Sequence, residues 1–186
     1  MSGHARERLS MTFREAAALD PDRHDGELDR GEWVPMTRGT WRHGVVAGNA
    51  YALLRAYAKS HEGWSVAVND PGTKLGHAPD ILRGPDVAIV RKERVPSGSG
   101  ADGWLEGAPD VAVEVIGDAQ THSDLAAKAL EFLAAGAKLV WVIDAERERV
   151  VQYSRPDHVQ VLSAPEDLDG GEALPGFRCR VAELFD

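Results

Sequence analysis

One acidic residue lies inside an otherwise apolar segment of the sequence. Glu114 stands between Val113 and Val115 in the segment 109–116. A carboxylate buried there is costly unless it is paired or bound to a cation. Alternation along a strand puts Asp110 on the same face as Glu114, roughly 13 Å away. Because buried acids cluster at functional sites, Glu114 is a candidate metal ligand.

A second acid opens another apolar segment. Asp86 precedes the run from Val87 to Val90. If the two segments form neighbouring strands, the carboxylates of Asp86 and Glu114 converge on one site. A hard divalent cation such as Mg²⁺ takes few carboxylates, keeps several waters and lowers the pKa of one of them. Asp110 is a rival to Asp86, but its distance from Glu114 along the same strand favours Asp86.

The helix predicted after this segment carries a lysine. Thr121 and Asp124 have the spacing of a capping box for a helix that runs to Ala135. Lys128 lies four residues after Asp124 and therefore on the same face of that helix. A lysine beside a metal-bound water can orient that water or stabilise charge on an attacked phosphate. From spacing alone, a surface ion pair between Asp124 and Lys128 is the simpler interpretation.

The elements that must position these residues follow from hydrophobic periodicity. A hairpin is expected between Asp20 and Met36, with Gly26 and Gly31 as turn residues. Apolar residues recur every three or four positions from His43 to Lys59, which predicts an amphipathic helix. We expect one α/β domain over residues 1–186, with a mixed central sheet flanked by helices and with residues 1–12 flexible. Further strands are predicted at 64–68, 73–75, 85–90, 109–116, 139–144, 150–153 and 159–162.

Composition excludes several classes of protein. The 186 residues are 43% hydrophobic and 27% charged, as in an ordinary globular protein. The apolar runs fall far short of the roughly 18 residues that a membrane span needs. A single cysteine, Cys179, cannot form an internal disulfide and is compatible with the cytoplasm, where we expect the protein. A membrane protein, a disulfide scaffold and a zinc-cluster protein are therefore excluded.

Charge and aromatic residues give little sign of a nucleic-acid surface. The formal net charge is -9, and a broad phosphate-binding surface needs clustered lysines and arginines. It does not exclude a small metal-bridged site, because carboxylates that hold a cation lower the formal charge. The five tryptophans are scattered without basic neighbours and indicate packing rather than base stacking.

Several segments together resemble one known family. In order and spacing, they are similar to the Uma-two family of restriction endonucleases, a branch of the PD-(D/E)XK nuclease superfamily. The resemblance runs from about Met11 to Phe185. It is carried by the segments 26–36, 42–44, 83–87, 109–115, 124–128, 136, 140–144 and 174–177.

This resemblance implies a restriction-endonuclease-like core and cleavage of DNA that depends on Mg²⁺ or Mn²⁺. Asp86 and Glu114 would be the metal ligands. The usual lysine of the superfamily, two residues after the second acid, is Ile116 here, and Lys128 is the candidate replacement. Glu27 and His43 would be supporting residues. One of them could help to bind the metal or to handle a proton, and a neutral His43 could accept one.

The sequence also departs from the family and leaves alternatives open. Residues 117–120 replace the usual turn Ser-Pro-Ser, and Phe132 replaces a common tyrosine. These changes bear on substrate approach more than on metal binding. A catalytically inactive regulatory or protein-interaction module on the same fold is one alternative, and a hydrolase of small phosphoesters is another. A homodimer is expected because cleavage of both DNA strands is commonly symmetric.

Overall fold

The computed structural model describes residues 10–19, 26–117 and 121–186. The flexibility expected at 1–12 mostly concerns residues outside these ranges, and so does most of the altered turn at 117–120. The helices and strands run in the order α1 (Phe13–Ala17), β1 (Gly26–Asp29), β2 (Glu32–Pro35), α2 (Trp41–Ser60), β3 (Trp64–Val68), β4 (Thr73–Gly76), β5 (Ile81–Arg83), β6 (Val87–Arg91), β7 (Leu105–Glu106), β8 (Val111–Val115), α3 (His122–Ala134), β9 (Leu139–Asp144), β10 (Arg149–Arg155), β11 (His158–Ser163), β12 (Asp167–Asp169) and β13 (Arg178–Arg180).

The main sheet has six strands in the order β11-β10-β9-β8-β6-β3. Strands β8 and β9 run parallel, whereas the other neighbours are antiparallel. The sheet is therefore mixed, and the predicted α/β class is confirmed. Every residue of β8 and of β9 is buried. This burial explains why both strands are almost continuously apolar in sequence instead of alternating.

The two long helices cover opposite faces of the main sheet. On one face, Leu54 of α2 packs in a core with Val113 and Trp141. On the other, Phe132 of α3 packs with Val140. Both helices are capped at their first turn, α2 by Thr40 and α3 by the predicted capping box of Thr121 and Asp124. The caps fix where each helix starts, and both helices start near the same ends of the central strands.

A second sheet carries the predicted hairpin. Its order is β2-β1-β5-β4-β7, and β1 pairs with β2 around a turn at Gly31, whose φ of 82° favours glycine. Gly26 is not a turn residue as expected but the first residue of β1. A side chain there would collide with the Trp33 ring, so its role is close packing. Four short strands, β5, β7, β12 and β13, were not predicted.

The tryptophans differ in their surroundings. Trp64 and Trp141 are buried as expected, but Trp41 is 89% exposed at the start of α2. The expectation that all five tryptophans pack in the interior is therefore wrong for Trp41. Among the described residues, none of the helices has the length and apolarity to cross a membrane.

Candidate active site

Strand register brings the two predicted metal ligands together. Val87 of β6 lies opposite Val113 of the antiparallel strand β8, which puts Asp86 beside Glu114. Asp86 Oδ2 accepts a hydrogen bond of 2.6 Å from the backbone N–H of Val115. This bond fixes the Asp86 carboxylate against the strand that carries Glu114. The convergence expected for these two acids is what the structure shows.

Glu114 is a buried acid that is only half satisfied. The residue is 3% exposed, and its Oε2 lies 3.6 Å from Lys128 Nζ. Its other oxygen, Oε1, is buried and has no hydrogen-bond partner in the described part of the chain. Burial raises the pKa of Glu114 to about 8; Lys128 opposes this rise and Asp86 adds to it. A cation at the free oxygen would favour the ionised carboxylate.

Lys128 points into the site and not toward the surface. Its Nζ lies 2.8 Å from Glu27 Oε1 and closer to that oxygen than to Glu114. Burial opposes the charge on Lys128, but Glu114 and Glu27 outweigh it and raise the pKa of the lysine to about 12. The surface pair with Asp124 is wrong, because the Asp124 carboxylate binds Thr121 at the helix cap.

Glu27 is held by residues that the sequence analysis did not single out. The backbone N–H of Gly84 donates to Glu27 Oε1 over 3.2 Å. The buried guanidinium of Arg83 lies 3.7 Å from Glu27 Oε2 and 2.7 Å from Glu131 Oε2. Arg83 therefore joins β5 to β1 and α3, and it orients the Glu27 carboxylate toward Lys128. Its sequence surroundings gave no sign of this role, since all its partners are distant in the chain.

His43 reaches the Asp86 carboxylate from the start of α2. Its Nε2 lies 3.2 Å from Asp86 Oδ1. The contact with Asp86 raises the pKa of His43, and partial burial of the ring opposes the rise. The pairing favours the protonated imidazole at a given pH. The surroundings therefore suit a proton donor better than the neutral acceptor considered from sequence.

Asp70 is a further acid at this site that sequence reasoning missed. It follows β3 with a φ of 54°, in the left-handed region that Asp tolerates in turns. A side chain at Gly84 would lie 2.9 Å from the Cβ of Asp70, so the glycine allows this close approach. Burial, together with Asp86 and Glu27, raises the pKa of Asp70 to about 6. The sequence offered only its place just after the predicted strand 64–68, because the pairing of that strand with β6 is seen only in the structure.

The site is rich in oxygen ligands of a kind that suits a divalent cation. Glu27, Asp70, Asp86 and Glu114 influence one another's charge. Within residues 10–19, 26–117 and 121–186, no three histidine, cysteine, aspartate or glutamate side chains form a ready-made metal cage. Mg²⁺ in enzymes is commonly bound by one or two carboxylates and several waters. The adjacent Asp86 and the free oxygen of Glu114 fit that requirement.

Asp110, the rival to Asp86, belongs to a different part of the sheet. Its carboxylate lies 2.9 Å from Lys138 Nζ and 3.4 Å from Arg94 Nη1, and it accepts the backbone N–H of Arg91. Burial opposes ionisation, but these partners outweigh it and lower the pKa of Asp110. Its charge is therefore satisfied by the protein at the start of β8.

Fold and site together define a mixed α/β protein with an acidic site that contains a lysine at the ends of its central strands. The sequence profile of Uma2, described as "putative restriction endonuclease", matches residues 12–182. The chain therefore belongs to this family, the Uma-two family named above. Its structure is similar to the crystal structure of "a putative nuclease belonging to DUF820" from Anabaena variabilis, with a TM-score of 0.78. The two chains are 16% identical, and the alignment covers 94% of this chain and 97% of the other. No curated protein matches the sequence.

Proposed function

We propose that this chain is an endonuclease that uses Mg²⁺ or Mn²⁺ to hydrolyse phosphodiester bonds in DNA. The observation that carries the proposal is the buried Glu114, whose free oxygen lies in a site shared with Asp86 and Lys128. A buried acid with an unsatisfied oxygen lowers stability, so a site that retains one is a candidate for function. Membership of the Uma2 family supports a nuclease.

Asp86 and Glu114 would hold the cation. When bound, a divalent cation lowers the pKa of water and neutralises charge on a phosphate. The protein's part is to keep both carboxylates in place: the Val115 N–H fixes Asp86, and β8 fixes Glu114 between two other strands. Asp70 adds negative charge nearby and would favour a divalent over a monovalent ion.

Lys128 and His43 supply charge and a proton near the phosphate. Lys128 stays protonated at neutral pH because Glu114 and Glu27 raise its pKa, so its ammonium can stabilise the negative charge that builds up on the attacked phosphate. Glu27 orients this ammonium through the 2.8 Å contact. His43 Nε2, 3.2 Å from Asp86 Oδ1, lies close enough to the proposed metal ligands to handle a proton during the reaction.

The first test is Mn²⁺ binding measured by calorimetry, because a metal site can be detected without knowing the substrate. Wild-type protein is compared with Asp86→Asn and Glu114→Gln, and Asp110→Asn is the matched control. The control also removes a buried acid from the same sheet, but one that the protein already pairs. We expect both site variants to lose binding and the control to keep it.

The outcome separates the proposed function from its alternatives. If wild-type protein binds Mn²⁺ no better than the two site variants, the inactive regulatory module becomes the better interpretation. If binding depends on both acids, plasmid DNA and a chromogenic phosphodiester are tested as substrates. Cleavage of the small ester alone would favour the small-phosphoester hydrolase. Sedimentation of the protein with and without DNA tests the predicted homodimer.

A further inference from the structure

Two arginines and a histidine surround a buried carboxylate at the end of β9. Asp144, 2% exposed, accepts hydrogen bonds from Arg147 Nη1 over 3.2 Å and from Arg149 Nε over 3.3 Å. His122 Nε2 lies 3.3 Å from the same oxygen and 2.8 Å from Arg149 Nη2. We call His122, Arg147 and Arg149 the arginine cluster.

The arginine cluster lies at the same end of the parallel strands β8 and β9 as the candidate metal ligands. Glu114 is opposite Val142 in the parallel pair of β8 and β9. Asp144 is two residues beyond Val142 and therefore on the same face of the sheet, roughly 7 Å farther along the strand. A chain of phosphates that entered the site at Glu114 would meet the arginine cluster next.

The arginine cluster offers more positive charge than the buried carboxylate requires. The side chains of Arg147 and Arg149 are 59% and 32% exposed, and each guanidinium has five N–H donors. Arg147, His122 and Asp144 line an open cavity of about 340 Å³. Asp144 fixes the guanidiniums in advance, which reduces the entropy cost of binding a ligand. Guanidinium groups match the geometry of phosphate oxygens.

An exposed aromatic ring stands at the start of α2, two residues before His43. Trp41 is the first residue of α2 and is 89% exposed. Its neighbour Arg42 lies 2.9 Å from Glu148, in the turn that connects Arg147 to Arg149. This ion pair links the start of α2 to the turn that carries Arg147 and Arg149. Bases of single-stranded nucleic acid stack on exposed aromatic side chains.

We propose that the arginine cluster binds a backbone phosphate of the DNA strand, next to the phosphodiester at Glu114, and that Trp41 stacks on a base of that strand. The proposal rests on the proposed function and deepens it, because it assigns the path of the DNA strand past the ends of β8 and β9. An acidic protein needs such a local cationic site to hold an anionic polymer. Glu146 also lines the cavity and is exposed, so it opposes phosphate binding.

The test measures DNA binding separately from cleavage. A fluorescein-labelled oligonucleotide, single-stranded and as a duplex, is titrated with the Glu114→Gln protein in metal-free buffer from 50 to 200 mM salt. Adding Arg147→Gln leaves Asp144 held by Arg149. We expect it to weaken binding by about 5- to 10-fold and to reduce the slope of log K against log salt by about 1. Glu146→Gln should tighten binding by about 2- to 5-fold.

Two further variants separate a local contact from general charge. Arg155→Gln removes an exposed arginine from the opposite end of β10, and it should change affinity less than twofold. Trp41→Ala should weaken binding to the single strand by about 5-fold or more without changing the salt slope, since stacking releases no counterions. Because Trp41 is exposed, its replacement should not unfold the protein, and a thermal melt checks this.

The proposal is overturned if Arg147→Gln and Arg155→Gln have the same affinity and the same salt slope. It is also overturned if Trp41→Ala binds the single strand as well as the parent protein. Either result leaves the metal-binding test intact, so the strand path would fail alone. Failure of the proposed function would instead appear as Mn²⁺ binding that is unchanged in Asp86→Asn and Glu114→Gln, whatever the DNA-binding variants show.

Discussion

The two ends of β8 each carry an acid near the sheet interior, and the protein treats them in opposite ways. Asp110, just before the strand, lies beside two cations and accepts a backbone N–H, so its pKa is lowered. Glu114, near the other end, has a free oxygen and a single cation at 3.6 Å that does not offset burial, so burial raises its pKa to about 8. Asp110 and Glu114 are equally buried, with 3% of each residue exposed.

The difference teaches that burial alone does not mark a functional acid. Asp110 has the partners that a structural ion pair needs, and two of its cations reach solvent. Glu114 is left short of partners by the fold, which lowers stability unless a ligand completes the site. Four predictions test this contrast, each comparing the Glu114 end with the Asp110 end or with a neighbouring residue.

The largest difference is expected in catalysis. Glu114→Gln should lower kcat for plasmid cleavage in Mn²⁺ by on the order of 1000-fold, because the variant loses a metal ligand. Asp110→Asn should keep activity within about threefold. Initial rates of supercoiled plasmid nicking measure both. Equal losses in the two variants would mean that the acids act only through the fold.

The lysines beside the two acids should differ in the same sense. Lys128→Met should lower kcat by about 100-fold, the scale of losing one charge that stabilises a transition state. Lys138→Met removes the cation 2.9 Å from Asp110, and since Lys138 is about half exposed it should leave kcat unchanged. Single-turnover cleavage at saturating protein separates this effect from DNA binding. A Lys128→Met enzyme with the wild-type rate would remove Lys128 from the mechanism.

Stability should depend on pH with opposite sign at the two ends. Between pH 4.5 and 8 the native state holds the Glu114 proton while the unfolded state has lost it, so stability falls as the pH rises. Asp110 has a lowered pKa, so its contribution is present above about pH 3.8 and is lost as the pH falls through the native pKa.

Urea unfolding of metal-free protein measures this pH dependence. Glu114→Gln should weaken the decline above pH 4.5 and leave the smaller part that Asp70 contributes up to about pH 6, and Asp110→Asn should weaken the loss of stability at acid pH. A Glu114→Gln protein that keeps the full decline would show that Glu114 does not titrate in this range. Asp70→Asn is the informative comparison, since the Asp70 pKa of about 6 falls inside the window.

The smallest effect is expected at Asp70. Asp70→Asn should raise the stability of metal-free protein by less than about 1 kcal/mol, because partial burial and repulsion from Asp86 and Glu27 disfavour the Asp70 carboxylate, while solvent screens much of this effect at an exposed residue. Mn²⁺ affinity should fall only a few-fold, since Asp86 and Glu114 remain. Thermal melts and calorimetry at pH 7.5 measure the two quantities. A loss of affinity as large as that of Glu114→Gln would make Asp70 a direct ligand.

Local pattern was enough to predict the parts of the fold that bury apolar residues in regular order. The strands around Val87 and Val113 and both long helices are close to their predicted bounds. The short strands β5 and β7 were missed because segments of two or three residues show no periodicity. Trp41 was misjudged because composition does not show which aromatic residue the fold leaves outside.

The candidate site was predictable where family resemblance or an unusual local setting marked a residue. Glu114 was conspicuous as an acid among valines. Lys128 was ambiguous from spacing, because its partner Glu27 is on a distant strand and Asp124 is closer in sequence. Arg83 and Asp70 could not be found from spacing, since both acquire their partners only through the pairing of β5 and β3 with other strands.

The contact between Glu27 and Lys128 has a consequence for synthesis of the protein. Glu27 is on β1, and Lys128 is on α3, which folds onto the sheet together with β9. A chain still emerging from the ribosome has its first acid long before its lysine, and chains fold from the N-terminus as they emerge. The site is therefore incomplete until Lys128 has emerged and α3 has packed against the sheet, so an N-terminal fragment that ends before α3 cannot assemble it.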